Sequence, residues 1–421
     1  MDANLIYINL DGFGKYYYDD FLAKGNNLPA FQQLLLDGTL FEHAYTGIPS
    51  ITFPMQAAIL SGCPSGHTGN CFHYWDREKK KIISCGRFNR AETFGEVLKK
   101  HHIPCLSIQQ FAEEDKGCAK TTPDNLYVQP GGNYQTRFDI LFSVLKNRTI
   151  ALENTTYTFK RLPNVIMLYA DDFDTLGHNP PYIDAKTETQ RVSAVQMLLK
   201  SVDDAIGELT SLLKQLHMFE NTYLLITTDH GMVHYQGKTA LLDIARHLER
   251  NGFGPVYLGD EAPNVRGAGI RLLTTGIQCQ LYFLENPSHA LEEKVVGCLR
   301  NIPVVERVLN KQELKTRGTD PRFADILISP KEGYHFGPHD VAPGKISASH
   351  DSLHEKAQHI YAYLKGPGIK KDYRETASVS NIDFFPTLCA LLGLPPMQQA
   401  TGRVLDSIFE TDTKVGTQNE N

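Results

Sequence analysis

The sequence predicts an α/β fold: a three-layer α/β/α sandwich on a mostly parallel sheet, with a smaller α+β insertion. Three observations carry this. Four short runs, Leu5 to Leu10, Asn164 to Ala170, Tyr223 to Thr228 and Ile360 to Leu364, are almost unbroken apolar sequence. That is the pattern of strands buried on both faces of a parallel sheet. Between them lie stretches with apolar residues three and four apart, the helical period. The interval from 233 to 349 breaks this alternation with weaker helices and turn-rich pieces.

Each element has its own warrant. Helices are expected over Glu92 to Lys100, over Thr187 to Leu216 and over Asn381 to Leu392, the last stopped by Gly393 and then Pro395-Pro396. Strand–helix alternation of this kind puts helices on both faces of the sheet. The core is therefore read as 1–232 with 350–410, and 233–349 as a smaller α+β insertion or cap. Within the insertion, Gln280 to Leu284 and Asp325 to Ile328 read as strands and 263-PNVRGAG-269 as a turn. The polar segment 411–421 reads as a frayed tail.

The totals exclude several classes. A chain of 421 residues with formal net charge -6 lacks the basic footprint of a nucleic-acid binder, so no stable nucleic-acid complex is expected. No apolar run is long enough to insert across a bilayer. The eight cysteines are scattered and form no CxxC pair, which gives no zinc ribbon. The N-terminal MDANLIYINLDGFG enters a strand without a basic region, apolar core or cleavage site. Reduced packing thiols and a cytoplasmic location are the expectation.

The chemistry collects at strand ends. Asp11 follows the first apolar run, 169-YADDFDTLGH-178 closes the second, 229-DHGM-232 follows the third, and His350 in 347-SASHD-351 precedes the fourth. In open α/β sheets ligands collect at the carboxyl ends of the strands. Taken singly, Asp11-Gly12 could be a turn, Asp229-His230-Gly231 an Asx turn, and Asp174 with His178 a solvated pair. Recurrence at matching ends points instead to a two-metal site. Imidazoles and carboxylates without cysteine suit Zn²⁺ first, with Mn²⁺ or Mg²⁺ for a more oxygen-rich site. Such a pair of metals clamps the attacking and leaving oxygens of a phosphoryl transfer. It would give a purpose to Thr52, which stands between Pro49 and Pro54 where a helix begins and where a threonine ordinarily serves as the N-cap.

With these residues in place, the sequence resembles the alkaline phosphatase superfamily, and within it the nucleotide pyrophosphatase/phosphodiesterase (type I phosphodiesterase) family. The resemblance runs through 11-DGFG-14, 50-SITFPMQAAILSG-62, 64-PSGHTGN-70, 174-DTLGH-178, 229-DHGM-232, His350 and 380-SNIDFFPTLCALLGLP-395, nearly the whole chain. It implies an alkaline-phosphatase-like fold and hydrolysis of phosphate diesters or nucleotide pyrophosphates by double displacement. Asp11, Thr52, Asp229 and His230 would hold one metal, and Asp174, His178 and His350 the other. Thr52 would be the nucleophile and form a phosphothreonine. Asn70 and the main-chain N–H of Phe53 would stabilise the phosphoryl oxygens.

The chain departs from the family pattern in places. Met55 stands where the family often has Asn, Asp172-Phe173 where it has Glu-Pro, and Asp351 where Gly usually follows the late histidine. The Thr52–Asn70 interval is short, and His354 is a rival to His350. Cys63 is followed directly by Pro64 with no closing Arg, which excludes a sulfatase. Phe53 and Trp75, the latter in 72-FHYWD-76, are the aromatic candidates for stacking a small-molecule phosphoester. His335, His339, Lys15, Arg77 and Lys79 are candidate phosphate contacts. The alternatives are a phosphonoacetate-hydrolase-like C–P hydrolase or a phosphomonoesterase built on the same site.

Overall fold

The computed structural model describes residues 3–152, 155–259 and 269–411. Residues 263–268 of the turn expected at 263–269, and all but the first residue of the expected tail, lie outside the described residues. Eight strands form the main sheet: β1 (Asn4–Leu10), β2 (Thr39–Phe41), β3 (Cys105–Ile108), β4 (Asn125–Val128), β5 (Val165–Ala170), β6 (Thr222–Thr227), β7 (Ala362–Lys365) and β8 (Tyr373–Glu375). Their spatial order is β8-β2-β7-β6-β1-β5-β3-β4. β1 pairs in parallel with both β5 and β6, and β5–β3, β3–β4 and β2–β8 are also parallel.

The fourth apolar run departs from expectation. Its first residues form a separate short strand, His359–Ile360, and the remainder, β7, runs antiparallel to β6 and to β2. β7 alone runs against the rest. Its continuous apolar sequence reports burial on both faces and carries no information about direction.

Alternation along each central strand divides the interior into two cores. Ile6, Ile8, Leu10, Ile166 and Leu168 belong to one cluster, and Leu5, Tyr7, Val165 and Met167 to the other. Helices Pro29–Leu36, Tyr134–Asn147 and Glu188–Gln215 cover the first face. Helices Thr52–Ser61, Phe94–Lys100 and Phe384–Leu391 cover the second. Each fully buried Leu or Ile contributes roughly 1.5–3 kcal/mol, so burial on two faces makes these strands the rigid base of the molecule. The helix starts follow capping chemistry. Thr93 and Glu96 form a capping box, and Thr187 accepts from Gln190 N.

The interval 233–349 leaves and re-enters the core through one ribbon, Val233–Gln236 paired antiparallel with Ile346–Ser349. Between these ends lies a five-stranded sheet with strands Val256–Leu258, Ile270–Thr275, Gln278–Phe283, Val305–Leu309 and Ile326–Pro330. Helices Leu241–Arg250 and His289–Arg300 pack on it, with a hydrophobic cluster of its own. Both expected strands are present; the other three are not obvious in the sequence.

Candidate functional site

β1, β5 and β6 end at one edge of the sheet. Asp11 and Asp229 lie just past β1 and β6, and Asp174 lies in the short helix Asp172–Gly177 after β5. The reversal of β7 brings the residues before it to this edge: Ala362, its first residue, pairs with Thr227, the last of β6. His350 lies on the segment that leads there.

Two backbone features close the turn after β1. Gly12 has φ +81°, the left-handed region where a side chain is costly, and a Cβ there would lie 2.7 Å from the Asp174 Cα. Asp174 N–H donates to Asp11 O at 2.8 Å. The first and second strand ends are therefore joined backbone to backbone.

Thr52 is the first residue of helix Thr52–Ser61. The N-cap position belongs to Ile51, and no side chain caps the helix. The ordinary capping role is thus not the one Thr52 plays. Its Oγ1 lies 3.4 Å from Asp11 Oδ2 and 3.3 Å from His230 Nε2. The uncapped helix start favours an anion at the same place.

Around the hydroxyl stand two groups of ligand-type atoms. Those of Asp11, Asp229 and His230 lie within 4.8 Å of one another, as do those of Asp174, His230 and His350. His178 joins the second group with Nε2 3.3 Å from Asp174 Oδ1, while His350 Nε2 is 3.8 Å from the same oxygen. His230 and His350 stack at 3.9 Å between centroids. The outer nitrogens are anchored: His178 Nδ1 donates to Ala348 O at 2.7 Å and His350 Nδ1 to Ser50 O at 2.9 Å. Each anchor fixes a tautomer that leaves Nε2 as an acceptor facing the site, the usual support of a metal-binding histidine. His350, not His354, reaches this place; His354 Nε2 lies 3.8 Å from Glu332 and its Nδ1 accepts Lys356 N–H.

The electrostatics call for a cation. Asp11 Oδ1, Asp174 Oδ1 and Asp229 Oδ2 are buried and make no hydrogen bond among the described residues. Burial, then the carboxylates of Asp229 and Asp174, push the Asp11 carboxyl well above its usual range. Burial likewise raises Asp229. Burial also acts to raise Asp174, but its contact with His178, an imidazole that burial lowers and this carboxylate raises to a net increase, outweighs it and holds the carboxyl down. Burial lowers His230 to about 4 and His350 to about 3, so these rings are neutral near pH 7. The carboxylates of Asp11, Asp174 and Asp229, each with an oxygen left over, stand beside the neutral rings of His230 and His350, a donor set that fits divalent metal.

Other expected residues lie elsewhere. Asn70 is fully buried, and both of its amide N–H groups are taken by Gly86 O at 3.0 Å and Phe88 O at 2.8 Å. Its Oδ1 accepts Phe72 N–H. Asn70 therefore holds its own loop and has no donor left for a phosphoryl oxygen. Trp75 is buried against Leu273 and Tyr282, with Arg271 3.9 Å above its ring, so it fastens the hairpin to the insertion and offers no face to a substrate. His335 is buried against Tyr235 and bonds Gly237 O. Lys15 is buried between Asp19 and Glu42, Arg77 pairs with Asp325, and Lys79 lies 3.8 Å from Asp76. Phe53 remains beside Thr52, edge-on to Phe111 at 5.3 Å.

Sequence reasoning missed Tyr169, whose hydroxyl donates to Asp11 Oδ2. It also missed Thr46, whose hydroxyl donates to Asp229 O. Tyr169 ends a buried run beside the acidic motif, and a polar tip at that position was the available signal. Thr46 carried none.

Comparison with known proteins points the same way. Residues 5–360 match the family described as type I phosphodiesterase / nucleotide pyrophosphatase. The chain is 23% identical over 398 residues to the bis(5'-adenosyl)-triphosphatase enpp4 of Mus musculus, covering 93% of this chain and 78% of that protein. It is 21% identical over 417 residues to the Homo sapiens ENPP4 of the same description, covering 94% and 79%. Among solved structures, murine ectonucleotide pyrophosphatase / phosphodiesterase 5 superposes with a TM-score of 0.66 at 17% identity, covering 94% of this chain and 96% of that one. Its inactive threonine-to-alanine variant, in complex with AMP, gives 0.65 at 16% identity with the same coverage. The fold is therefore alkaline-phosphatase-like.

Proposed function

From a chain that belongs to the type I phosphodiesterase / nucleotide pyrophosphatase family, we infer a metal-dependent hydrolase of phosphate diesters or nucleotide pyrophosphates that works through Thr52. One observation carries the assignment of Thr52. Its hydroxyl stands at an uncapped helix start, 3.4 Å and 3.3 Å from Asp11 and His230.

Asp11, Thr52, Asp229 and His230 would hold one divalent ion and Asp174, His178 and His350 a second, with Zn²⁺ first and Mn²⁺ or Mg²⁺ as alternatives. Two such ions, when bound, lower the pKa of the threonine hydroxyl and neutralise charge on the phosphoryl oxygens. Thr52 Oγ attacks phosphorus and forms the phosphothreonine bond as the bond to the leaving oxygen breaks. Water on the opposite side then cleaves the phosphothreonine and regenerates the hydroxyl. The helix start, with the Phe53 N–H, supports the charge on the phosphoryl oxygens in both steps.

The likeness to bis(5'-adenosyl)-triphosphatases and to a neighbour solved with AMP supports a nucleotide arm, with Phe53 as its stacking surface. A cytoplasmic location is part of the proposal, tested by fractionation of the native source.

The test is hydrolysis of bis-p-nitrophenyl phosphate and p-nitrophenyl phosphate with added Zn²⁺ or Mn²⁺, beside a Thr52→Ala control that retains the wild-type unfolding midpoint. Metal-dependent cleavage that prefers the diester and is lost in T52A is expected. Preference for the monoester would replace this reading with a phosphatase. Turnover retained in T52A would remove Thr52 from the mechanism.

A further inference from the structure

We propose that Cys71 and Cys85 are a thiol pair that a small disulfide, of the oxidised-glutathione class, converts to an intramolecular disulfide. The chemistry is separate from phosphoryl transfer at Thr52, and it makes the base of one hairpin a redox-modification site.

The backbone sets the two residues side by side. Strands His73–Asp76 and Lys81–Ser84 pair antiparallel, with His73 opposite Ser84. One residue further out, Cys85 N–H donates to Phe72 O at 2.7 Å. Phe72 has φ 68°, in the left-handed region, and Cys71 O accepts His73 N–H at 2.9 Å. That tight turn brings Cys71 across from Cys85. The S–H and the main-chain N–H of Cys71 both reach Cys85 Sγ, and both side chains pack in the cluster that holds Ile48, Tyr74 and Phe323. Residues opposed across an antiparallel pair have Cα atoms about 4.5–5.5 Å apart, inside the span that a disulfide bridges. Asn70 Nδ2 donates to Gly86 O at 3.0 Å, so the residues flanking the pair are already fixed to each other.

The two thiols differ as such a pair requires. Cys71 is fully buried and Cys85 is partly exposed. The hydrogen bond from Cys71, with the positive charge of Arg322 behind it, outweighs burial and holds the Cys85 thiol down to about 6. Arg322 reaches this place directly: its guanidinium donates to Gly69 O at 2.9 Å, and Cys85 Sγ lies 3.9 Å from the same oxygen. Cys85 is therefore the thiolate that attacks, and Cys71, raised by the same contact, the thiol that resolves. The other cysteines lack this combination. Cys298 is partly exposed, but burial pushes its thiol up. Cys105 and Cys118 touch each other but are 0% and 1% exposed, out of reach of a tripeptide.

The exchange balances. The Cys85 thiolate attacks one sulfur of the small disulfide, whose S–S bond breaks, and one tripeptide thiolate leaves and takes a proton from solvent. Cys71 gives its proton to solvent and attacks the Cys85 sulfur of the mixed disulfide. The second tripeptide leaves in the same way. The protein thiols lose two electrons, and the small disulfide is reduced to two thiols.

The experiment treats the reduced full chain with oxidised glutathione at neutral pH and reads intact mass and the non-reducing peptide map, in wild type, Cys71→Ser and Cys85→Ser. Wild type should lose two hydrogens, link Cys71 to Cys85, and recover both thiols in excess dithiol. In C71S, Cys85 should stop as the glutathione adduct; in C85S, Cys71 should stay unmodified. Iodoacetamide should label Cys85 at least about tenfold faster than Cys298 in the same chain. An unresolved adduct on Cys85 in wild type, a link between Cys105 and Cys118 in its place, or equal labelling of Cys85 and Cys298 overturns the proposal. So does a link that forms only after unfolding in urea, which would belong to the denatured chain. The wild-type map decides the matter even where a serine variant is destabilised.

Discussion

Replacing Gly12 by alanine tests whether both halves of the site hang on one backbone crossing. Gly12 has φ +81°, and a Cβ there would stand 2.7 Å from the Cα and the N of Asp174. Both are main-chain atoms, so no side-chain rotation relieves the contact. The left-handed conformation costs a non-glycine residue about 1–2 kcal/mol. Forcing a methyl group against packed backbone adds about 1–3 kcal/mol. The loss expected for Gly12→Ala is therefore about 2–5 kcal/mol. Gly25→Ala is the matched control: φ is +80° there, and nothing lies within 4 Å of the added Cβ. It incurs the conformational part alone. Urea unfolding in chelator, read as a midpoint shift at constant m, isolates the steric part as the difference between the two variants. Metal content at limiting Zn²⁺, read by mass spectrometry, supplies the second readout. Displacing Asp174 from Asp11 should weaken metal binding about tenfold in Gly12→Ala, the scale of losing a group that orients a ligand, and leave Gly25→Ala unaffected. Equal midpoints and equal metal in the two variants would refute the crossing as the device that sets the two carboxylates.

Three further outcomes follow from particular contacts. Asn70→Ala removes three part-buried hydrogen bonds and should cost about 2–4 kcal/mol in urea unfolding; its kcat should stay above the hundredfold to thousandfold loss, ~10²–10³, of a missing oxyanion donor. Trp75→Phe withdraws the indole beneath Arg271 and should lower stability by about 1–2 kcal/mol, with KM for the diester unchanged in steady-state kinetics. Glu113, buried beneath Thr93 Oγ1 and Gly95 N, has its carboxyl raised by burial from 4.5 to about 8. A raised acid contributes stability that is fully present below pH 4.5 and is lost as pH rises through about 8. Stability should therefore decline across that window, and Glu113→Gln should flatten the decline in urea midpoints taken from pH 5 to pH 8.

How much of this was legible in the sequence depends on whether a signal was local. The buried runs at Leu5–Leu10, Asn164–Ala170 and Tyr223–Thr228 became the centre of the sheet because apolar sequence reports burial directly. The helices expected over Glu92 to Lys100 and Thr187 to Leu216 were readable because apolar residues three and four apart are a signal carried by the element itself; the structure has them at Phe94–Lys100 and Glu188–Gln215. The interval 233–349 was expected from where the strand–helix alternation stops and resumes, and Val233–Gln236 and Ile346–Ser349 at its two ends pair with each other. Strands Cys105–Ile108 and Asn125–Val128 were not legible, because each is four residues long, too short a run to show a period.

The site divides along the same line. Asp11, Asp174, Asp229, His230 and His350 were readable because each sits beside a strand end, and strand ends of one sheet share an edge. The structure brings them together with Thr52 and His178. Asn70 was assigned through the family resemblance and Trp75 as an aromatic near the site, and neither signal says which way a loop residue turns. Asn70 turned inward to Gly86 and Phe88, and Trp75 toward the insertion. The placement of His350 comes from a pairing that periodicity does not report. Ser349 pairs with Val233, the residue that follows the 229-DHGM-232 motif, so the ribbon that closes the 233–349 interval sets His350 beside the strand end that carries Asp229 and His230. The bond from His350 Nδ1 to Ser50 O then ties the same ring to the segment that leads into Thr52, and a late histidine completes the cluster through two contacts that are distant in sequence.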